Sequence, residues 1–157
     1  MLRLENGMNV YNGTPHDITL WDGEGDLIIV PPHGKIDAKP QEVTVADSDF
    51  GVTLVTTEFV PTKEGWKIIN QAKKDGANVI IGSIVAAQAY PGNVFAMTPA
   101  PGFERVPPPL PRDAMEALER AAHQSEDSFI HEVLGKYSNL PTKRMNLNKF
   151  TVFLGDE

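Results

Sequence analysis

The stretch Tyr11–Asp22, YNGTPHDITLWD, decides how the chain begins to fold, because a polar turn with one proline and one histidine runs straight into an alternating pattern. Ile18 and Leu20 alternate with Asp17, Thr19 and Asp22, the period-two signature of a half-buried strand. Asp22-Gly23 and Glu24-Gly25 supply hairpin chemistry, since glycine reaches positive φ without steric cost, and residues 26–30, DLIIV, return as the second strand. Pro31-Pro32 ends that strand by withdrawing backbone donors, and His33-Gly34 turns the chain again. Gln41–Ala46 and Val52–Val60 repeat the strand signal on either side of an Asp47–Gly51 turn. Residues 1–60 therefore predict an antiparallel β unit, a curled sheet or small barrel.

Beyond Pro61 the period changes. Thr62 is placed to cap a helix, Glu64 suits its positive end, and Trp66, Ile69 and Ala72 or Lys73 share a stripe until Asp75-Gly76 stops it. Asn78–Ile81 (NVII) predicts a short apolar strand. Ser83 caps an expected helix over Ile84–Ala89, Tyr90-Pro91-Gly92 closes it, and Val94–Met97 is a further strand. Thr98–Arg112, TPAPGFERVPPPLPR, holds six of the 13 prolines and predicts an extended, polyproline-like strap over the protein's own surface. Asp113 is the expected N-cap of a long helix running to about Tyr137, with Met115, Leu118, Ala122, Phe129, Val133 and Tyr137 on one stripe. That stripe needs the β unit or the same helix of another copy to pack on, so a homo-oligomer is expected. Gly135 and Leu140-Pro141 mark the helix end, and Phe150–Leu154 reads as a closing strand in this chain's sheet or a neighbour's. The resulting expectation is an α+β protein with a core domain over residues 1–103 and an appended strap, long helix and strand over residues 104–157.

Composition narrows the function classes. A chain of 157 residues, 41% hydrophobic and 22% charged, is long enough to bury a real core. A net charge of −7 and a pI near 5.1 argue against non-specific nucleic-acid binding, which needs Lys and Arg to displace counterions, and against anionic membrane surfaces. The absence of cysteine excludes disulfides, thiolate nucleophiles and sulfur-ligated metals. MLRLENGMNV lacks the apolar core of a secretion signal, and no apolar run approaches the ~20 residues of a membrane span, so a cytoplasmic location is expected.

Motifs for catalysis do not assemble. Gly23-Glu24-Gly25 lacks the third glycine of a dinucleotide fingerprint, and Asp49-Phe50-Gly51 stands without the other kinase signatures and reads as a turn. Asp47 and Asp49 flank Ser48 as turn formers, and Ser83 is explained by helix capping. His123, Asp127 and His131 share one edge of the expected long helix, but the two histidines would lie roughly 12 Å apart along it, too far to share one metal ion, so a solvated flank is expected. No catalytic set, metal set or cofactor is predicted. In the opening stretch, Asn12, Thr14 and Pro15 fit a side-chain-bonded turn, which leaves His16 as the residue the turn does not require.

Asn12-Gly13-Thr14-Pro15-His16-Asp17-Ile18 resembles the Asn-Leu-Thr-Pro-His signature of a small family encoded by bacteriophages and some bacteria. Pro32-His33-Gly34 with Ala38, Gly82-Ser83-Ile84-Val85-Ala86-Ala87-Gln88-Ala89, and Val94 through Pro99 are similar to further segments of that family, so the resemblance spans Asn9 to Phe103. Gly13 and Gly82 depart from its leucine and valine, Lys39 stands where it has arginine, and Gly92-Asn93 occupies another basic position, leaving less positive charge for an anionic ligand. The resemblance implies a phage accessory protein, active in the host cytoplasm, that binds a small nucleotide-type ligand without turning it over and thereby sequesters a host defence signal. Asn12, Thr14, His16, Ser83, Lys39 and Tyr90 are the expected contacts, with Tyr11, Trp21 or Tyr90 as stacking walls. Two alternatives stand beside it: a structural or partner-binding phage protein that oligomerises through its strap and helix, and a small hydrolase or lyase with His16 as general base.

Overall fold

The computed structural model describes residues 1–106, 111–138 and 143–155. In chain order its strands are β1 (Leu2–Arg3), β2 (Asn9–Asn12), β3 (Ile18–Trp21), β4 (Ile28–Val30), β5 (Ala38–Asp47), β6 (Thr53–Pro61), β7 (Val79–Gly82), β8 (Phe95–Pro99) and β9 (Met145–Thr151). Its helices are α1 (Lys63–Lys74), α2 (Ile84–Ala89), α3 (Arg112–Gln124) and α4 (Ser128–Ser138). Seven strands form one sheet in the order β1-β2-β7-β8-β9-β3-β4, while β5 and β6 form a ribbon of their own.

The α+β class and the curled sheet agree with the sequence pattern, but the strands come from the whole chain. Strand β2 pairs parallel with β7, which pairs parallel with β8, and β3 pairs parallel with β9. Only β1–β2, β3–β4, β8–β9 and the ribbon are antiparallel. Residues 1–60 are thus no self-contained antiparallel unit, because β2 and β3 diverge after the Gly13–Asp17 turn and find partners far along the sequence. The closing strand β9 lies between β8 and β3 of its own chain.

The sheet curls almost to closure. Past β4 the chain returns along β2, where His33 N–H donates to Asn12 O and Ile36 N–H to Gly13 O, each at 2.9 Å. Alternation then sorts the side chains. Val10, Ile18, Leu20, Val30, Ile81 and Met145 fill the interior, as side chains do in small barrels. Ile80, Ala96 and Val94 face outward, where α1 and α2 cover them with Ile69, Ala72, Ala86, Ala87 and Tyr90. Both expected caps form: Thr62 Oγ1 accepts from Gly65 N–H at 2.9 Å, and Ser83 Oγ from Ala86 N–H at 3.1 Å.

Two expectations about the second half are corrected. The long helix is two helices, because Ser125 Oγ accepts from Asp127 N–H (3.0 Å) and Asp127 Oδ1 from Phe129 N–H (2.9 Å), so these side chains take over backbone groups that a continuous helix would use. Helix α3 begins at Arg112 after Pro111, not after an Asp113 cap. The described part of the strap is no continuous polyproline-like segment: Thr98 and Pro99 belong to β8, and Phe103 and Val106 close turns onto Ala100 and Phe103. Pro107–Leu110 and Leu140-Pro141 lie outside the described residues.

The ribbon projects as an arm. From residue 41 to residue 58 every side chain is exposed except the half-buried Val43 and Ser48. Its foot is fixed by Tyr90, fully buried, whose hydroxyl accepts from Thr62 N–H and donates to Asp37 O, both at 2.9 Å. Asp37 precedes β5 and Thr62 follows β6, so a single side chain pins both feet. Gly65 makes room for it, since a Cβ there would lie 1.8 Å from the Tyr90 oxygen. Tyr90→Phe takes the partner from two partly buried backbone groups and is expected to cost about 1–3 kcal/mol in urea denaturation, with Gly65→Ala costing more than Tyr90→Phe.

Candidate functional site

The residues singled out in the opening stretch form a closed internal network. Asn12, on the interior side of β2 with no exposed surface, donates from Nδ2 to His16 O and Val30 O (2.9 Å each) and accepts at Oδ1 from Thr14 N–H (3.0 Å) and the Thr14 hydroxyl (2.6 Å). Its own N–H donates to His33 Nδ1 at 2.8 Å. Every polar atom of that side chain is thereby committed, and a buried polar group so satisfied is a closure device. Gly13 sits at a close approach: a Cβ would lie 2.7 Å from both Ile81 O and Ile36 Cδ1, so a leucine has no room here.

The other expected contacts are dispersed. Among the described residues the His16 imidazole makes no hydrogen bond, although its backbone oxygen serves Asn12; it is half-buried beside Asp17, which pairs with Arg112 Nη2 at 2.5 Å. Ser83 is exposed and occupied in capping α2. It follows two residues after Ile81, which faces Asn12 in register and accepts from Gly13 N–H at 2.7 Å, so the two segments are neighbours, but His16 and Ser83 are not hydrogen-bonded. Lys39 is exposed at the arm's foot. Tyr90 is buried under α1, edge-on to Trp66 at 5.1 Å. Of the remaining stacking walls, Tyr11 lies against His33, and Trp21 holds the Arg144 guanidinium 4.7 Å above its ring together with Phe103.

Asn12, Thr14, His16, Ser83, Lys39 and Tyr90 line none of three cavities formed by the described residues. One of about 570 Å³ lies between α3 and α4, with Glu116, Glu119, Arg120, His123 and His131 on its walls. Another, of about 640 Å³, lies by β1 and the β3–β4 turn and is ringed by Glu5, Asp22, Glu24 and Asp26. The third, of about 460 Å³, has Tyr11, Ile68 and Ala72 as its floor and Lys67, Gln71 and Asp75 at its rim.

Uncovered apolar side chains cluster in sequence elsewhere, on the arm. Phe50 at its tip is 92% exposed, and Val45, Val52, Leu54 and Val55 are between 47% and 65% exposed. The tip is well ordered by its own bonds, Ser48 N–H to Val52 O at 2.8 Å and Val52 N–H to Ser48 Oγ at 3.2 Å, which set Phe50 outward. Sequence reasoning found the turn and both strands but not their exposure. The available signal was an aromatic residue at a turn tip between Asp49 and Gly51. Helices α3 and α4 are similarly bare: Ala122 is the only buried residue of α3, and Phe129 on α4 is 68% exposed.

Comparison with known protein families, with curated proteins and with solved structures finds no match to this chain.

Asn12→Ala strands Val30 O and the Thr14 N–H, while His16 O keeps the Thr14 hydroxyl, and at about 1–3 kcal/mol per buried group it is expected to cost at least ~2 kcal/mol, whereas His16→Ala stays within about 1 kcal/mol; chemical denaturation of both variants checks this. Burial lowers the pKa of His16 against the opposing pull of Asp17, and burial together with the chain's terminal ammonium lowers that of His33. The unfolded chain therefore takes up protons first, so the stability these neutral imidazoles contribute is complete above about pH 6.5 and falls as pH drops below it. His33→Ala is expected to flatten that fall in a pH series of melting curves, because protonated Nδ1 no longer accepts from Asn12 N–H.

Proposed function

We propose that this protein is a non-enzymatic assembly module whose β5–β6 arm docks on a protein partner. The exposure of Phe50 at the end of a two-stranded ribbon carries this reading. A hairpin of that kind is marginal in water on its own, and several exposed apolar side chains on a rigidly anchored element mark an interaction surface. Burying Phe50 alone is worth about 1.5–3 kcal/mol. The reading keeps the partner-binding alternative drawn from the sequence and moves its seat from the strap and helix to the arm. Within the phage-encoded family that Asn12–Ile18 resembles, it describes a structural or accessory component.

A second reading, retention of a small nucleotide-type ligand, is favoured by one observation: the half-buried His16 imidazole has no hydrogen-bond partner among the described residues and stands beside the Asp17–Arg112 pair. It predicts calorimetric heat with nucleotides that His16→Ala removes; no heat with the native protein ends it. Against it, Asn12, Thr14 and Tyr90 have their side chains engaged internally.

The arm reading is tested with the full chain carrying benzoylphenylalanine at position 50. Irradiation in the expressing cell is expected to give adducts that map to one defined protein segment. Scattered or absent protein adducts would contradict docking through the tip.

A further inference from the structure

We infer that the surface receiving the arm is the cavity beside α1 on a second copy of this chain, with Phe50 as the anchor and Lys67 as the charge partner of the tip. This rests on the arm-docking reading and names its partner.

The arm's own body does not cover it, since of residues 41–58 only Val43 and Ser48 are half-buried. Ten residues of strand extend roughly 33 Å at about 3.3 Å per residue, whereas a compact chain of this size has a radius of gyration of about 15 Å. With its foot pinned by Tyr90, the tip stands clear of the body and meets another molecule.

Charge then selects among the cavities. Between Ala38 and Pro61 the arm carries Lys39 against Glu42, Asp47, Asp49 and Glu58, and two of those carboxylates flank the tip. The cavity by β1 is ringed by four carboxylates with Arg3 alone opposing them, and that between α3 and α4 by Glu116 and Glu119 with Arg120. An acidic tip is repelled from the first and gains nothing at the second. The α1 cavity carries no such excess of carboxylates: Lys67 and Asp75 balance at its rim, and Lys63, Lys73 and Lys74 against Glu64 leave the surrounding helix net positive. Lys63, Lys67, Gln71 and Lys74 follow the i, i+4, i+8, i+11 spacing of a single helix stripe, and Lys67 and Gln71 of that stripe edge the cavity. Its floor of Tyr11, Ile68 and Ala72 is apolar, the match for an aromatic ring.

The division of labour follows from magnitudes. Surface charges are screened beyond a Debye length of about 8 Å, so Asp47, Asp49 and Lys67 set orientation and encounter rate, while the desolvated ring holds the contact. Arm and cavity are different surfaces, so the contact closes as a reciprocal pair or propagates into a ring or filament.

The test is sedimentation velocity of the full chain from about 1 to about 200 µM, spanning association by a contact at or below standard interface size, with Phe50→Ala and Lys67→Glu, both at exposed positions. The native protein is expected to associate, Phe50→Ala to weaken association at least roughly thirtyfold and Lys67→Glu roughly tenfold. An equimolar mixture of the two variants restores one intact contact, arm of the Lys67→Glu chain into cavity of the Phe50→Ala chain, and is expected to form 1:1 pairs that neither variant forms alone. A native protein that stays monomeric throughout overturns the inference, and the crosslinking at position 50 then decides separately whether the arm docks on another protein. Association lost in Phe50→Ala but untouched in Lys67→Glu overturns the α1 cavity while the arm reading stands. Association untouched in Phe50→Ala overturns both.

Discussion

A single hydroxyl fixes the feature on which the functional account depends. Tyr90 takes a hydrogen bond from Thr62 N–H and gives one to Asp37 O, and these atoms stand at the two feet of the β5–β6 arm. Because Tyr90 ends α2 and Thr62 caps α1, the same contact sets the angle between both helices and the arm. Gly65 is required for the approach, and Trp66 meets the ring edge-on. The arm therefore leaves a rigid base, and holding exposed apolar residues rigidly lowers the entropy lost when they are covered.

The closure of the curled sheet is organised by Asn12, and its network explains why polar residues in YNGTPHDITLWD suggest a ligand site. Sequence alone presents the same residue types whether they contact a ligand or satisfy backbone groups where a curled sheet closes. The deciding facts are that Val30 O and His16 O reach Asn12 Nδ2 and that the His33 ring receives Asn12 N–H. Those partners lie up to 21 residues away in sequence and are not implied by the motif.

Local signals were legible. Ile18 and Leu20 do point inward, Thr62 and Ser83 do cap, and the Asp47–Gly51 turn lies between β5 and β6 as expected. Non-local facts were not. Strand β2 pairs with β7, more than sixty residues on, because both alternate correctly in a parallel register that no local pattern distinguishes from antiparallel. The α3–α4 break was written in Ser125-Glu126-Asp127-Ser128, but the continuous stripe of Ala122, Phe129 and Val133 outweighed it. The arm was unreadable for a deeper reason: Val43, Leu54 and Val55 look alike whether the surface that covers them belongs to their own core or to another molecule.

Coverage of that arm is what hydrogen exchange reports most directly. In the full chain, amides of residues 42–57 are expected to exchange fast in dilute solution and to slow as concentration rises, while those of β7 stay protected throughout. Equal protection of the arm at every concentration would contradict the account, because the ribbon would then need no second molecule.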